Sequence, residues 1–336
     1  HNESGKYGVE IAVGGKSVSV EVEIIDAALS FNDFIYTCWF HTDCLMSHYN
    51  FEAFSDEYWR VTENYLKTAR EYGMTCVLTP IFTPPLDTEK GKERPTVQLI
   101  DIEYKNGKYS FGFEKLSRWI EMAHRCGVEY FELAHFYTQW GARHAPKIMA
   151  TVDGEYKRIF GWDTKANSKK YKAFLEALSA ELKNYLEERN LREKVLIHVS
   201  DEPNMSMILP YSKASRYIHK LFEGYKIIDA LSDYRFYKKG IVSTPIPSND
   251  HIDKFIGNVD EPWVYYCSAQ NNHNVANRFF FNKFTHNELV VNVGQLSLEK
   301  RRAMFKSRNF KIPADYIVTQ GYISPLSYCH ITLAES

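Results

Sequence analysis

With 336 residues, 44% of them apolar and 25% charged, the chain can bury a sizeable core, which excludes an intrinsically disordered protein and suits one α/β barrel with appendages. A formal net charge of -1 and the lack of any polybasic run argue against nucleic acid or an anionic membrane surface as partner. No apolar run approaches membrane-spanning length, and the six cysteines, none in a C-x-x-C pair, read as buried free thiols rather than a disulfide framework or zinc site.

Residues 8–26 alternate apolar and polar around Gly14-Gly15, a β-hairpin signature. The hairpin segment is assigned to residues 1–28 and reads as the end of a β-sandwich. A strand–helix alternation begins at Phe34. Strand one runs to about Phe40, and Ser55 caps a helix whose buried stripe includes Tyr58, Thr62, Tyr65, Leu66 and Ala69. Strand two covers Thr75 to Phe82. A polar excursion follows from Leu86 to Tyr109, with Lys105-Asn106-Gly107-Lys108 as a hairpin turn. Leu116, Trp119, Ile120 and Ala123 mark the next helix.

Strand three, Val128 to His135, opens a long loop from Phe136 to Thr164 that carries Trp140 and Trp162. The clearest helix then shows Tyr171, Phe174, Leu175, Leu178, Leu182, Tyr185 and Leu186 on one stripe, begun near Asn167-Ser168. Strand four ends in Asp201-Glu202. Strand five is Tyr225 to Ala230, strand six Gly240 to Thr244, strand seven Trp263 to Cys267, and Leu289 to Val293 is the candidate eighth. Parallel strands joined by helices in such number predict an α/β fold, a (β/α)8 TIM-type barrel over residues 29–281, followed by an atypical C-terminal segment, 282–336.

Strand four organises the functional reading. Val195, Ile197 and Val199 fall on one face; Leu196, His198, Ser200 and Glu202 fall on the other, facing the barrel interior. Catalytic groups on such barrels sit at the carboxyl ends of the strands. Two carboxylates that cleave a glycosidic bond by the usual routes stand about 5–9.5 Å apart and come from different strands. Adjacent acids divide a different labour. Glu202 would protonate the leaving oxygen and later act as base, while Asp201 would accept the amide N–H of the sugar's own 2-acetamido group as that group attacks the anomeric carbon.

Other candidates surround this pair. His135 ends strand three, where it could meet a sugar hydroxyl or make a structural hydrogen bond. Trp140 and Trp162 sit in long loops suited to stacking on sugar rings. Tyr265 and Tyr266 alternate, so only one can face the interior. Gln270 and Asn277 are candidate sugar-binding amides. His41, Asp43 and His135 could be read as a metal site, but the spacing lacks a His-x-His pair, so no metal and no cofactor is expected.

Trp39-Phe40-His41, Asp43-Cys44, Thr79 through Asp87, Thr138-Gln139-Trp140-Gly141, Gly161-Trp162, Ser200 through Pro203 and Trp263 through Gln270 together resemble the catalytic barrel of glycoside hydrolase family 123. The resemblance covers roughly residues 30–280 and implies a retaining exo-β-N-acetylgalactosaminidase that uses 2-acetamido participation. It assigns Asp201 and Glu202 the roles above and gives a tyrosine at 265 or 266 the acetamido oxygen. The implied partner is a glycan with a terminal β-linked N-acetylhexosamine. Residues 282–336 depart from the family pattern, lacking its aromatic last strand and following helix. A non-catalytic carbohydrate-binding barrel and a metal-dependent barrel hydrolase are the alternatives. Oligomeric state is open, as is the compartment, cytoplasmic or secreted/periplasmic.

Overall fold

The structure is a computed structural model that describes residues 3–24, 35–86, 89–248, 251–260, 263–265 and 321–322. The chain divides into two compact units, residues 1–33 and 34–336. In the first, β1 (Gly5–Val13) and β2 (Lys16–Ile24) pair antiparallel in the expected hairpin, with Val13 opposite Lys16. Both turn residues, Gly14 and Gly15, have positive φ, 60° and 76°, which a two-residue turn of matching twist requires. Cross-strand pairs Val9–Val20 and Ile11–Val18 share one face, and all four side chains are exposed.

In the second unit, β4 (Cys76–Thr79), β7 (Tyr130–Leu133), β10 (Val195–His198), β11 (Lys226–Ala230) and β12 (Thr244–Ile246) form a parallel sheet in the order β12-β11-β10-β7-β4. The parallel run extends at both ends. Thr37, just before β3 (Cys38–Trp39), bridges Cys76, and Tyr265 bridges Ser248. A further short strand, β13 (Gly321–Tyr322), pairs with β3. The architecture is therefore mixed α/β with a parallel sheet, and no closed barrel is formed by the described residues alone.

The period-two reading holds from Val195 to Val199 and breaks at Glu202, whose φ of 42° takes it out of the extended run. Val195, Ile197 and Val199 pack with the helices in the main core, whereas Leu196 joins Cys76, Ile228, Ala230, Ile246, Trp263 and Tyr265 on the other face. The three predicted helix stripes, of α2, α3 and α4, are largely buried. Ser55 Oγ caps α2 (Asp56–Glu71) by accepting the Tyr58 N–H at 3.2 Å, and Ser168 Oγ caps α4 (Lys169–Glu188) through the Tyr171 N–H at 3.3 Å. Between them lie α3 (Glu114–Arg125), preceded in the chain by a short α1 (Thr42–Tyr49); α5 (Ile208–Leu221) and α6 (Tyr234–Lys238) follow α4. Tyr65 alone of the predicted α2 stripe is only half-buried.

Three expectations need correction. The excursion 86–109, read as polar with a hairpin turn at 105–108 that the structure shows, and the excursion 136–164, read as a long loop, meet in a four-stranded sheet in the order β6-β5-β8-β9, built from β5 (Asp101–Lys105), β6 (Lys108–Gly112), β8 (Ile148–Val152) and β9 (Glu155–Phe160). The pairing of β5 with β8 joins segments about forty-five residues apart, a contact that local patterning does not encode. Strand six lies at Thr244–Ile246, not at 240–244: Gly240 has φ 63° and closes the helix before it. Strand three is shorter than drawn, and His135 lies beyond its end. The candidate eighth strand, Leu289–Val293, falls outside the described residues.

Phe174 anchors the layer between α4 and this second sheet, its ring within 6.1 Å of those of Phe82, Tyr109, Phe111, Phe160 and Tyr171. Truncating it to alanine should cost roughly 3–5 kcal/mol. Tyr156→Ala, at a ring that is 61% exposed, should stay within about 0.5 kcal/mol of wild type in the same denaturant titration.

Candidate active site

The turn after β10 is clamped from both sides. On one side, the Glu202 N–H donates to Ala230 O at 3.0 Å, tying the turn to the end of β11. On the other, the segment after β7 runs alongside. Phe136 N–H donates to His198 O at 3.3 Å, Tyr137 N–H to Val199 O at 3.0 Å and Trp140 N–H to Asp201 O at 3.2 Å. Ser200 Oγ donates to Thr138 O at 2.8 Å. The clamp holds Glu202 at φ 42°, in the left-handed region that a residue with a Cβ enters at a cost of about 1–3 kcal/mol. Trp140 and Ala142 are held likewise, at φ 61° and 54°. Left-handed non-glycine residues on both facing turns mark a place where surrounding contacts over-determine the backbone.

The two acids leave this turn in different directions. Asp201 is buried at 3% exposure, whereas Glu202 is exposed and accepts a hydrogen bond from the Tyr265 hydroxyl. Tyr265 packs on the same sheet face as Leu196 and Ile228.

Beneath the pair lies a buried polar network centred on His198. Glu132 of β7 accepts hydrogen bonds from Thr37 Oγ1 and Trp39 Nε1, both at 2.9 Å, and its other oxygen meets His198 Nε2. The Nδ1 of His198 is 3.5 Å from Asp229 Oδ1. Asp229 in turn accepts the Ser200 N–H at 3.2 Å and the Tyr211 hydroxyl. All of Glu132, His198 and Asp229 are buried. Burial by itself would push the His198 pKa down, but the charges of Glu132 and Asp229 and the hydrogen bond to Glu132 outweigh it and raise the value to about 9. A cationic imidazole thus sits between two carboxylates. The signal was available: a glutamate in the apolar run Val128–His135 and an aspartate in Tyr225–Ala230 must be paired if buried.

His135 is fully buried rather than open to solvent. Its ring stacks on His198 with centroids 4.2 Å apart, and neither ring nitrogen has a hydrogen-bond partner among the described residues. Burial, and then the neighbouring His198 and His41 charges, hold its pKa well below the usual range, so it is the neutral member of the stack. Trp140 is 44% exposed beside Asp201. Trp162 is half-buried, donates its indole N–H to Lys92 O at 2.9 Å and lies 5.9 Å from the His144 ring. Tyr266, Gln270 and Asn277 lie outside the described residues.

Asp43 is buried and engaged by Arg94, with Nε 3.0 Å from Oδ2 and an Nη 3.1 Å from Oδ1. A bidentate guanidinium uses the oxygens that a metal would need. Among the described residues no group of three His, Cys, Asp or Glu side chains is arranged to hold a metal ion, and no helix is long and apolar enough to cross a membrane. Cys44, Cys76 and Cys126 are free thiols.

The fold is a parallel α/β sheet that presents two adjacent acids at the carboxyl end of its central strand, the end where such folds place catalytic groups. Residues 39–296 match the family described as "Glycoside hydrolase 123, catalytic domain", and the chain belongs to glycoside hydrolase family 123. Among solved structures it is similar to a family 123 glycoside hydrolase from Clostridium perfringens, studied for glycolipid glycan hydrolysis. The TM-score is 0.58 at 15% identity, covering 79% of this chain and 50% of that one. The chain thus spans half the length of that relative. A weaker likeness, TM-score 0.37 at 10% identity, is to a noncanonic maltogenic α-amylase, AmyB, from Thermotoga neapolitana, covering 86% of this chain and 67% of that one. No curated protein matches the sequence.

The His198 ring should titrate near pH 9 by NMR, and His135 should stay neutral across the accessible range. Because the folded pKa of His198 is raised, its contribution to stability is full below the unfolded value of 6.5 and is lost as pH rises through about 9. Glu132→Gln should abolish that slope, lower the His198 midpoint and destabilise the fold by roughly 3–5 kcal/mol, since it breaks a buried charge pair from one side.

Proposed function

We propose that the chain hydrolyses terminal β-linked N-acetylhexosamine, with N-acetylgalactosamine preferred, as a retaining exo-glycosidase that uses the substrate's 2-acetamido group. The observation that carries this reading is the divergence of two adjacent carboxylates, one buried and one exposed, at the end of β10 in a family 123 domain. Acids that leave neighbouring positions in different directions cannot flank one bond as the usual acid and nucleophile pair do. They can serve a proton and an amide separately.

In the first step Glu202 gives its proton to the glycosidic oxygen. The C1–O bond breaks as the acetamido carbonyl oxygen forms a bond to C1, and Asp201 accepts a hydrogen bond from the amide N–H, which becomes positive in the oxazolinium-like ring. In the second step the Glu202 carboxylate takes a proton from water. That water attacks C1, the ring opens, and the sugar leaves with its original anomeric configuration. On this reading Tyr265, whose hydroxyl donates to Glu202, contacts the acetamido oxygen of a bound sugar. Trp140 beside Asp201 and Trp162 on the next loop supply aromatic faces for the sugar, joined on the same reading by Tyr266, Gln270 and Asn277. The buried His135 acts beneath the site, through its stack on His198. The parallel run that starts at β13 beside β3 and ends at Tyr265 beside Ser248 supports closure into an eight-stranded barrel with this site at its carboxyl end.

Glu202→Gln should lower kcat/KM on substrates with poor leaving groups by about 10²–10⁴-fold while leaving the melting temperature near that of wild type; near-normal turnover would remove Glu202 from the acid's role. In a panel of chromogenic β-glycosides, those with a 2-hydroxyl in place of the 2-acetamido group should not turn over, and the galacto epimer should outpace the gluco. A thiazoline analogue of the cyclic intermediate should inhibit competitively.

A further inference from the structure

A second concave site lies beside the acids, and it is built for negative charge. It is a groove of about 910 Å³ between α5, the start of α4 and the loop 142–144. That volume falls in the range of ligand pockets, roughly 300–1,000 Å³. Its walls carry Arg143, Lys165, Lys172, Lys213, Arg216 and Lys220, and no aspartate or glutamate lines it.

Local structure gathers these cations. Lys213, Arg216 and Lys220 fall at i, i+3 and i+7 on α5, on one stripe. Ala145 N–H donates to Thr164 O at 3.0 Å and Ala166 N–H to Arg143 O at 2.9 Å, and this short pairing brings Arg143 beside Lys165. All six side chains are exposed, and none makes an ion pair among the described residues. The nearest acid on these helices, Glu176, is turned to the Tyr217 hydroxyl at 2.9 Å. The field is strong enough that, after burial, the charges of Lys90, Arg143 and Lys165 hold the His144 pKa below its usual value. In a chain of net charge -1, six unpaired cations around one hollow are a local concentration, and concave walls focus their field.

The groove and the acid pair share one loop. The loop whose Ala142, Arg143 and His144 line it is the one whose Trp140 N–H bonds Asp201 O, and Gly141 packs against Met207 just before α5. Tyr217 and Leu209 add apolar surface on which a sugar ring can lie.

We propose that this groove binds the sulfate or carboxylate groups of an acidic oligosaccharide, so that the natural substrate is an anionic glycan extending from the cleaved bond into the α4–α5 cleft. The proposal rests on the glycosidase reading above. A neutral sugar chain would make no use of this positive field, which exposed cations otherwise share with water and counterions. A glycan carrying one anion per repeat would meet them in series, each contact strengthened by exclusion of water from the hollow.

The test is a fluorescence-polarisation titration of the full chain with three labelled hexasaccharides: chondroitin sulfate, its desulfated form, which keeps only carboxylates, and a neutral chitin fragment. The sulfated chain should bind, weaken steeply as salt rises, and lose at least about tenfold in affinity in Lys213→Glu/Arg216→Glu, with a smaller loss in Lys213→Gln/Arg216→Gln. Binding of the desulfated chain assigns carboxylates to the groove as well; its failure to bind narrows the ligand to sulfate esters. Equal binding of the neutral hexasaccharide, equal binding of an oligonucleotide of the same charge, or indifference to both double variants would overturn the proposal. Turnover of a small neutral chromogenic β-N-acetylhexosaminide should be unchanged in both variants. If wild type fails to cleave that glycoside while charge-dependent binding persists, it is the glycosidase reading that falls and not the groove.

Discussion

A single buried cation organises the centre of the sheet. His198, between Glu132 and Asp229, links β7, β10 and β11 through side chains. Two buried carboxylates without that imidazolium would repel and would have to take up protons, and an imidazolium without them would lose its proton. The three charges are therefore held jointly. Their hydrogen bonds reach outward to Thr37 and Trp39 on one side and to Tyr211 on α5 on the other. Each partner comes from a different element, so the network sets the register of the strands below the acids as well as the charge there.

The consequence for chemistry runs through Ser200. Its backbone N–H is held by Asp229 and its hydroxyl by the carbonyl of Thr138, which places the next peptide, Asp201–Glu202, between β11 and the loop after β7. A left-handed Glu202 is the outcome. In extended conformation two neighbouring side chains point to opposite faces of a strand. The left-handed turn breaks that alternation and lets one acid lie buried while the other stands exposed beside Tyr265. The burial of His135 follows from the same packing, since its ring covers His198 and is too deep to meet a ligand directly.

Bulk charge concealed the other side of the molecule's electrostatics. A net charge of -1 suggested no strongly charged surface, yet six cations converge where α4, α5 and one loop meet. Composition sums over the chain, and folding sorts it. The same blindness hid the Asp43–Arg94 pair, whose members are distant in sequence and share a nearly closed environment. It also hid the four-stranded sheet made from two excursions that each look like a loop.

What local order decides was readable from residues alone. Period-two alternation separated the faces of β10, serine caps and apolar stripes located α2 and α4, and Gly14-Gly15 and Asn106-Gly107 specified their turns, because each depends on neighbours within a few positions. The adjacency of Asp201 and Glu202 is likewise a property of the chain. Which acid is buried, which tyrosine meets it, what neutralises Glu132 and Asp229, and where the lysines and arginines of α5 find their companions were settled only in three dimensions. Those outcomes turn on contacts between segments tens of residues apart, where burial and Coulomb energy act and sequence spacing carries no information.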